Sequence, residues 1–181
     1  MINFTPFPSI YTKNLILRRM DYNDIKDLFE MRRDPRMNEY TDTKIEESMD
    51  ETKAYIDKMN KGIDENKWII WAIQHKQLNK IIGSISIWNI NEEEASGELG
   101  YGMIPDFQGK GLMKESLLKV VEYGFNVMNL KELKAYTEKN NSKSIKLLKR
   151  CNFDEIDRVD EEGYFNNRVY SMIVYRLENK C

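Results

Sequence analysis

The chain is poor in the residues that build metal sites and covalent cross-links. Its 181 residues include two cysteines, Cys151 and Cys181, and one histidine, His75. Two cysteines make no disulfide framework, and a lone imidazole leaves nothing to assemble a zinc site, so no metal is expected. No apolar run approaches the roughly 20 residues of a membrane span. Residues 1–11 hold Pro6 and Pro8 and lack the basic start and apolar stretch of a secretory leader. A membrane is therefore not an expected partner. An excess of one charge is missing too: Lys plus Arg is 28 against 30 for Asp plus Glu, with no dense basic block. Nucleic acid is not an expected partner either. The reducing cytoplasm is the expected address. The chemistry has to come from backbone groups, hydroxyls, carboxylates or a bound cofactor.

What remains is one domain's worth of patterned sequence. Hydrophobic residues make up 41% and charged residues 32% of the chain, and at this length folding buries roughly 70% of the extended surface. No repeat, low-complexity tract or linker interrupts it, so a single domain over 1–181 is expected. Residues 14–19 read as a strand. Asp21 stands where a helix N-cap would, predicting a helix over 22–33 with Ile25, Leu28, Phe29 and Arg32 on one side and Pro35 as its stop. A second helix is expected over about 46–61, ended by Gly62. Residues 68–73 and 81–88 are apolar and β-branched around a polar connection and predict a hairpin. Residues 98–104 alternate and stop at Pro105, a third strand whose glycines mark a bulge or a close backbone approach.

Gln108, Gly109, Lys110 and Gly111 then open a long helix whose apolar stripe is Met113, Leu117, Val120, Val121, Gly124, Phe125 and Met128. A strand over 133–137 completes a crossover unit. Asn141 caps a helix over 142–151, and Asn152 suits the left-handed residue that ends it. Strands over 153–159 and 169–177 close the chain around Asn166 and Asn167.

Glycines at a helix start expose unpaired N–H groups and positive dipole to a phosphate, so the loop 109–111 reads as an anion cradle. Its plain alternative is an ordinary glycine loop with an exposed lysine. It lacks both the Gly-Lys-Ser/Thr ending of a P-loop and the third glycine of a dinucleotide fingerprint. Asn141 and Ser144 read either as a cap with a first-turn serine or as side chains facing a cofactor held by the preceding helix.

Gln108, Gly109, Lys110, Gly111, Leu112 and Met113 resemble the acyl-CoA signature of the GNAT superfamily of N-acyltransferases: Gln or Arg, two residues, Gly, one residue, then Gly or Ala. Met113 departs at the last place. Residues 107–115 look like the branch containing the ribosomal-protein N-terminal acetyltransferases. Residues 11–18 look like that branch's opening strand and 97–101 like its central one. Asn141, Ser144, Asn152 and Phe153 stand at the places of its Asn, Ser, Gly and Phe. The resemblance implies an α/β (α+β) fold: a strongly twisted mixed sheet of about seven strands, splayed between the fourth and fifth, flanked by about four helices.

It also implies acetyl-CoA as co-substrate. Backbone groups of Met103 and Ile104 would hold the pantetheine arm, and the amides of Gly109, Lys110, Gly111, Leu112 and Met113 the pyrophosphate, with Gln108, Asn141 and Ser144 beside them. The implied reaction is direct attack of a primary amine on the thioester. Ser144 stands where that branch serves the leaving thiolate. Neither cysteine has a histidine to activate it.

Glu98 is the candidate general base, against the plain reading of a solvated strand carboxylate. Asp160, Glu161 and Glu162 would attract a cationic substrate. Tyr164, Tyr170 and Tyr175 read as core or wall and His75 as a bystander. The acceptor stays open between a peptide N-terminus, as of a ribosomal protein, and a small amine such as a polyamine or aminoglycoside. A non-catalytic acyl-CoA-binding sensor is the rival reading. Exposed Trp and Met on a strand edge leave a homodimer open.

Overall fold

The computed structural model describes residues 2–180; Cys181 lies outside them. Strands β1 (Ile10–Tyr11), β2 (Leu15–Arg18), β3 (Ile69–His75), β4 (Lys80–Asn91), β5 (Ser96–Met103), β6 (Glu132–Glu138), β7 (Asp154–Glu162) and β8 (Val169–Glu178) form one sheet. Its order is β1-β2-β3-β4-β5-β6-β8-β7. The helices are α1 (Ile25–Arg32), α2 (Met49–Asp64), α3 (Leu112–Asn126) and α4 (Ser142–Arg150).

The apolar run that opens β3, Ile69 to Ile73, follows from burial on both faces, while β4 alternates buried isoleucines with half-buried Ser84 and Ser86. Ile69, Trp71, Ile73, Ile82, Ile85 and Ile87 are all fully buried. Gly97 and Gly124 let α3 seat closely on this layer: a Cβ on either would fall 2.9 or 3.2 Å from the Ile87 side chain.

The strand beyond the expected seven is β1, which pairs Ile10 with Leu17 and Tyr11 with Ile16. Two residues just after Pro6 and Pro8 carry no alternating pattern. α1 begins later than expected because Tyr22–Asp24 form a 3-10 turn. Asp21 caps it, and the Asp24 carboxylate returns to the Asp21 N–H while ion-pairing with Arg18 at 2.7 Å.

α2 starts behind a Ser48–Glu51 capping box and runs through Gly62 to Asp64. Gly62 is therefore not its end. A Cβ there would lie 2.0 Å from the Trp68 ring, so the glycine serves close packing. At α4 the sequence reading holds: Cys151 is the C-cap and Asn152 takes φ +64°.

Only β5 and β6 run parallel, joined through α3 as a crossover, and they pair over just Ser96–Leu99 against Glu132–Ala135. Beyond that, β5 stays with β4 as far as Met103 while β6 stays with β8 as far as Glu138. The carboxyl ends of the two central strands part, and the starts of α3 and α4 follow directly from them.

Candidate active site

Register decides which backbone groups face the parting. Gly83 opposes Met103 and Ser84 opposes Gly102, and the Ile104 N–H donates to Ile82 O at 2.8 Å. Antiparallel neighbours alternate between bonded and non-bonded pairs. Gly100 and Gly102 therefore bond β4, while Tyr101 and Met103 turn their N–H and C=O groups toward the gap. Ile104, which the sequence reading placed beside Met103, turns its backbone groups elsewhere. Its N–H is taken by Ile82 and its carbonyl receives the Phe107 N–H at 2.9 Å, so the backbone edge that faces the gap is that of Tyr101 and Met103, with the Met103 carbonyl already accepting from Gln108.

Gln108 lies at the same mouth. Its Nε2 donates to Met103 O at 2.8 Å and its Oε1 accepts from Lys143 Nζ at 3.1 Å, clasping the end of β5 to the first turn of α4. Gly109 and Gly111 hold φ of +74° and +77°, and nothing lies within 4 Å of where a Cβ would stand. Backbone conformation and open space both explain these glycines. Gly111 is the N-cap of α3 and supplies no side-chain cap, so the amides of Leu112, Met113 and Lys114 have no intrahelical partner. The Lys110 ammonium sits 5.3 Å from the Phe107 ring centre. Open amides, helix dipole and lysine fit a pyrophosphate, and the Tyr101–Met103 edge fits an amide-bearing arm.

Across the gap, the Asn141 side chain accepts the Ser144 N–H at 3.2 Å, which makes it the cap of α4. The Ser144 Oγ lies 2.6 Å from the Tyr101 Oη. Burial pushes the Tyr101 phenol well above its ordinary range. Sequence reasoning missed Tyr101 as a site residue. The available signal was its place between Gly100 and Gly102, one large side chain flanked by two positions with none.

Glu98 is three residues away and so on the opposite face of β5. Burial, with the Glu161 carboxylate adding to it, pushes Glu98 up to about 7, against the opposing pull of Asn89 and Lys134. Tyr136 is raised as well, by burial and then by Glu98 and Glu161. Of the acidic residues in the last hairpin, Glu161 thus stands near the site. Asp160 accepts from the Ser171 hydroxyl at 2.8 Å, and Glu162 is exposed at the end of its strand.

Gly102 shares the face of Glu98, and Met37 lies over it, 3.2 Å from where a Cβ would stand. From Met37 the chain continues to Asp42. Its carboxylate accepts the N–H groups of Tyr164 and Phe165 at 2.5 and 3.1 Å, while Arg168 donates to Glu39 O at 2.9 Å. The segment 37–45 and the loop 163–168 therefore join as a strap on the Glu98 side.

Tyr164 is exposed on that strap, while Tyr170 and Tyr175 are buried walls. His75 accepts the Leu78 N–H in the β3–β4 turn and its ring lies beside Phe107. Burial raises the Cys151 thiol, the opposite of what a nucleophile needs. Among the described residues no group of His, Cys, Asp or Glu is placed to hold a metal ion, and no helix is long and apolar enough to cross a membrane.

A splayed mixed sheet with an amide cradle at the crossover helix defines an acyl-CoA-dependent transferase. The Acetyltransferase (GNAT) domain family matches residues 14–154, and the chain belongs to it. It is an N-acetyltransferase with acetyl-CoA as co-substrate. It is 29% identical over 169 residues to the uncharacterized N-acetyltransferase p20 of Bacillus licheniformis, covering 93% of this chain and 95% of that one. It is 26% identical over 167 residues to the spermidine N(1)-acetyltransferase of Vibrio cholerae, covering 92% and 94%. Among solved structures it superposes on RimL, a ribosomal L7/L12 α-N-protein acetyltransferase in complex with coenzyme A. The TM-score is 0.85 at 18% identity, covering 94% of this chain and 98% of that one.

Proposed function

We infer that the protein, acting as one domain in the cytoplasm, acetylates a slender cationic amine of the polyamine type by direct attack on the thioester. The observation that carries this is the half-buried Glu98 beside the parting strands, held near pH 7 with Glu161 close by and the strap above its face. A carboxylate titrating there is ionised in part at neutral pH and takes the one proton that a neutral amine sheds as it attacks. The neighbouring acid draws a polycation, and the strap favours a narrow acceptor over a folded one. The likeness to the spermidine acetyltransferase supports the same class.

Acetyl-CoA supplies the activated thioester. The chain does the rest: amides 109–113 hold the pyrophosphate, Tyr101 and Met103 align the arm, and the Ser144 hydroxyl donates to the departing sulfur. The new C–N bond forms as the C–S bond breaks. The amine's proton passes to Glu98, and the thiolate is protonated by water on release.

The test is thiol release from acetyl-CoA with spermidine, an aminoglycoside and peptides bearing a free N-terminus, alongside calorimetric titration of acetyl-CoA. Turnover highest with spermidine is the expected result. Turnover with N-terminal peptides alone would move the acceptor to proteins, and acetyl-CoA binding without turnover on any amine would make the protein a sensor.

A further inference from the structure

The Tyr101–Ser144 pair has a direction that its heavy atoms alone leave open, because either hydroxyl can donate across the 2.6 Å contact. The surroundings choose. Tyr101 packs against the core, and among the described residues Ser144 Oγ is the hydrogen-bond partner of its hydroxyl. Were Ser144 the donor, the phenol hydrogen would have no protein acceptor among the described residues, a costly arrangement for a part-buried hydroxyl packed against the core. Burial also keeps the phenol protonated across the working pH range, so the hydrogen is always present. Ser144 in turn has its N–H satisfied by Asn141, and its hydroxyl sits in the first turn of α4 at the mouth of the gap.

We propose that Tyr101 is a positioning residue: by donating to Ser144 Oγ it turns the serine's own hydrogen out into the gap between β5 and β6. A free serine hydroxyl samples three staggered orientations and, in a helix, bonds back to a preceding carbonyl. One locked as acceptor from Tyr101 has its hydrogen poised for the sulfur. This rests on the reading of Ser144 as donor to the leaving group. The two glycines flanking Tyr101 acquire a reason as well, since they keep β5 free of side chains on the opposite face, where Ser86 and Met37 already crowd it.

The test is a double-mutant cycle on steady-state kinetics with Tyr101→Phe, Ser144→Ala and the pair, each checked by thermal melting. Phe keeps the ring and loses only the hydroxyl. The expected result is a kcat loss of about tenfold for Tyr101→Phe, the worth of one buried hydrogen bond. KM for acetyl-CoA and amine stays within about twofold, and the double variant is no slower than Ser144→Ala alone. On a Ser144→Thr background, which keeps a hydroxyl, the Tyr101→Phe loss should reappear. Losses that multiply in the double variant, or an unimpaired Tyr101→Phe, overturn the positioning role. A Ser144→Ala enzyme with full kcat overturns the reading of Ser144 on which it rests.

Discussion

At the residue scale Glu98 ties activity and stability to one proton. Its folded pKa of about 7 lies above the ordinary 4.5, so between those values the native state holds more protons than the unfolded one. Stability therefore falls as pH rises through that window and is highest, for this group, below it. With Glu98 as the proposed base, catalysis runs the other way, because a base must be ionised: kcat/KM should rise with pH to a plateau above about 7. Glu98→Gln separates the two. Turnover should drop about 10²-fold. With solvent screening of this part-exposed group, the melting temperature at pH 8 should rise by about 2–4 °C with no gain at pH 4. A variant that loses activity yet melts identically at both pH values would mean that the carboxyl is not desolvated. Gly111 poses a second single-residue question. Its φ of +77° costs any L side chain roughly 1–2 kcal/mol. Gly111→Ala should therefore lower stability by about that much and weaken acetyl-CoA binding in calorimetry, although the space beside it is open.

At the scale of elements, Gly62 makes a prediction whose sign distinguishes two roles. Inside α2 with no packing constraint, Ala would raise helix propensity and stabilise by about 1 kcal/mol. Here the added methyl would meet the Trp68 ring at 2.0 Å, and the indole is itself held by its N–H donating to Met59 O at 3.1 Å. Overpacking against so rigid a neighbour should cost about 1–3 kcal/mol, measured as a lower urea midpoint with unchanged slope. Asp42 belongs at this scale because it joins two elements. Asp42→Ala removes the acceptor of two loop N–H groups and should raise KM for the amine severalfold while leaving KM for acetyl-CoA unchanged. Equal effects on both would show that the strap does not belong to the acceptor side. What the sequence made legible divides along the same line. The β3–β4 hairpin, the crossover, the caps at Asp21 and Asn141, and the left-handed Asn152 depend on local pattern and could be read. The stop assigned to Gly62 failed because a tertiary neighbour six residues on explains that glycine. β1 is set only by its partner strand. The Tyr101–Ser144 contact and the engagement of Ile104 depend on register between elements that the linear pattern does not contain.

At the scale of the molecule, the parting of β5 from β6 leaves two sheet segments sharing four register positions, Ser96–Leu99 against Glu132–Ala135. Past those positions, across the gap, side-chain bonds stand in for backbone pairing: the Gln108 clasp and the Tyr101–Ser144 contact. A sheet left open in this way has unsatisfied edges facing inward, which is costly unless something completes them. On the proposed reading the donor's arm completes them, and this gives a whole-molecule signature in backbone amide exchange followed by NMR. In the free protein, Gly100 and Gly102, bonded to β4, should exchange slowly while Tyr101 and Met103 on the same strand exchange fast, an alternation within four consecutive residues. Saturating acetyl-CoA should slow Tyr101 and Met103 toward their neighbours and protect Leu112 and Met113 at the start of α3, while β7, paired along one edge only, stays unaffected. Uniform protection along β5 in the free protein, unchanged by acetyl-CoA, would mean that the gap is closed by the protein itself and that the donor binds elsewhere.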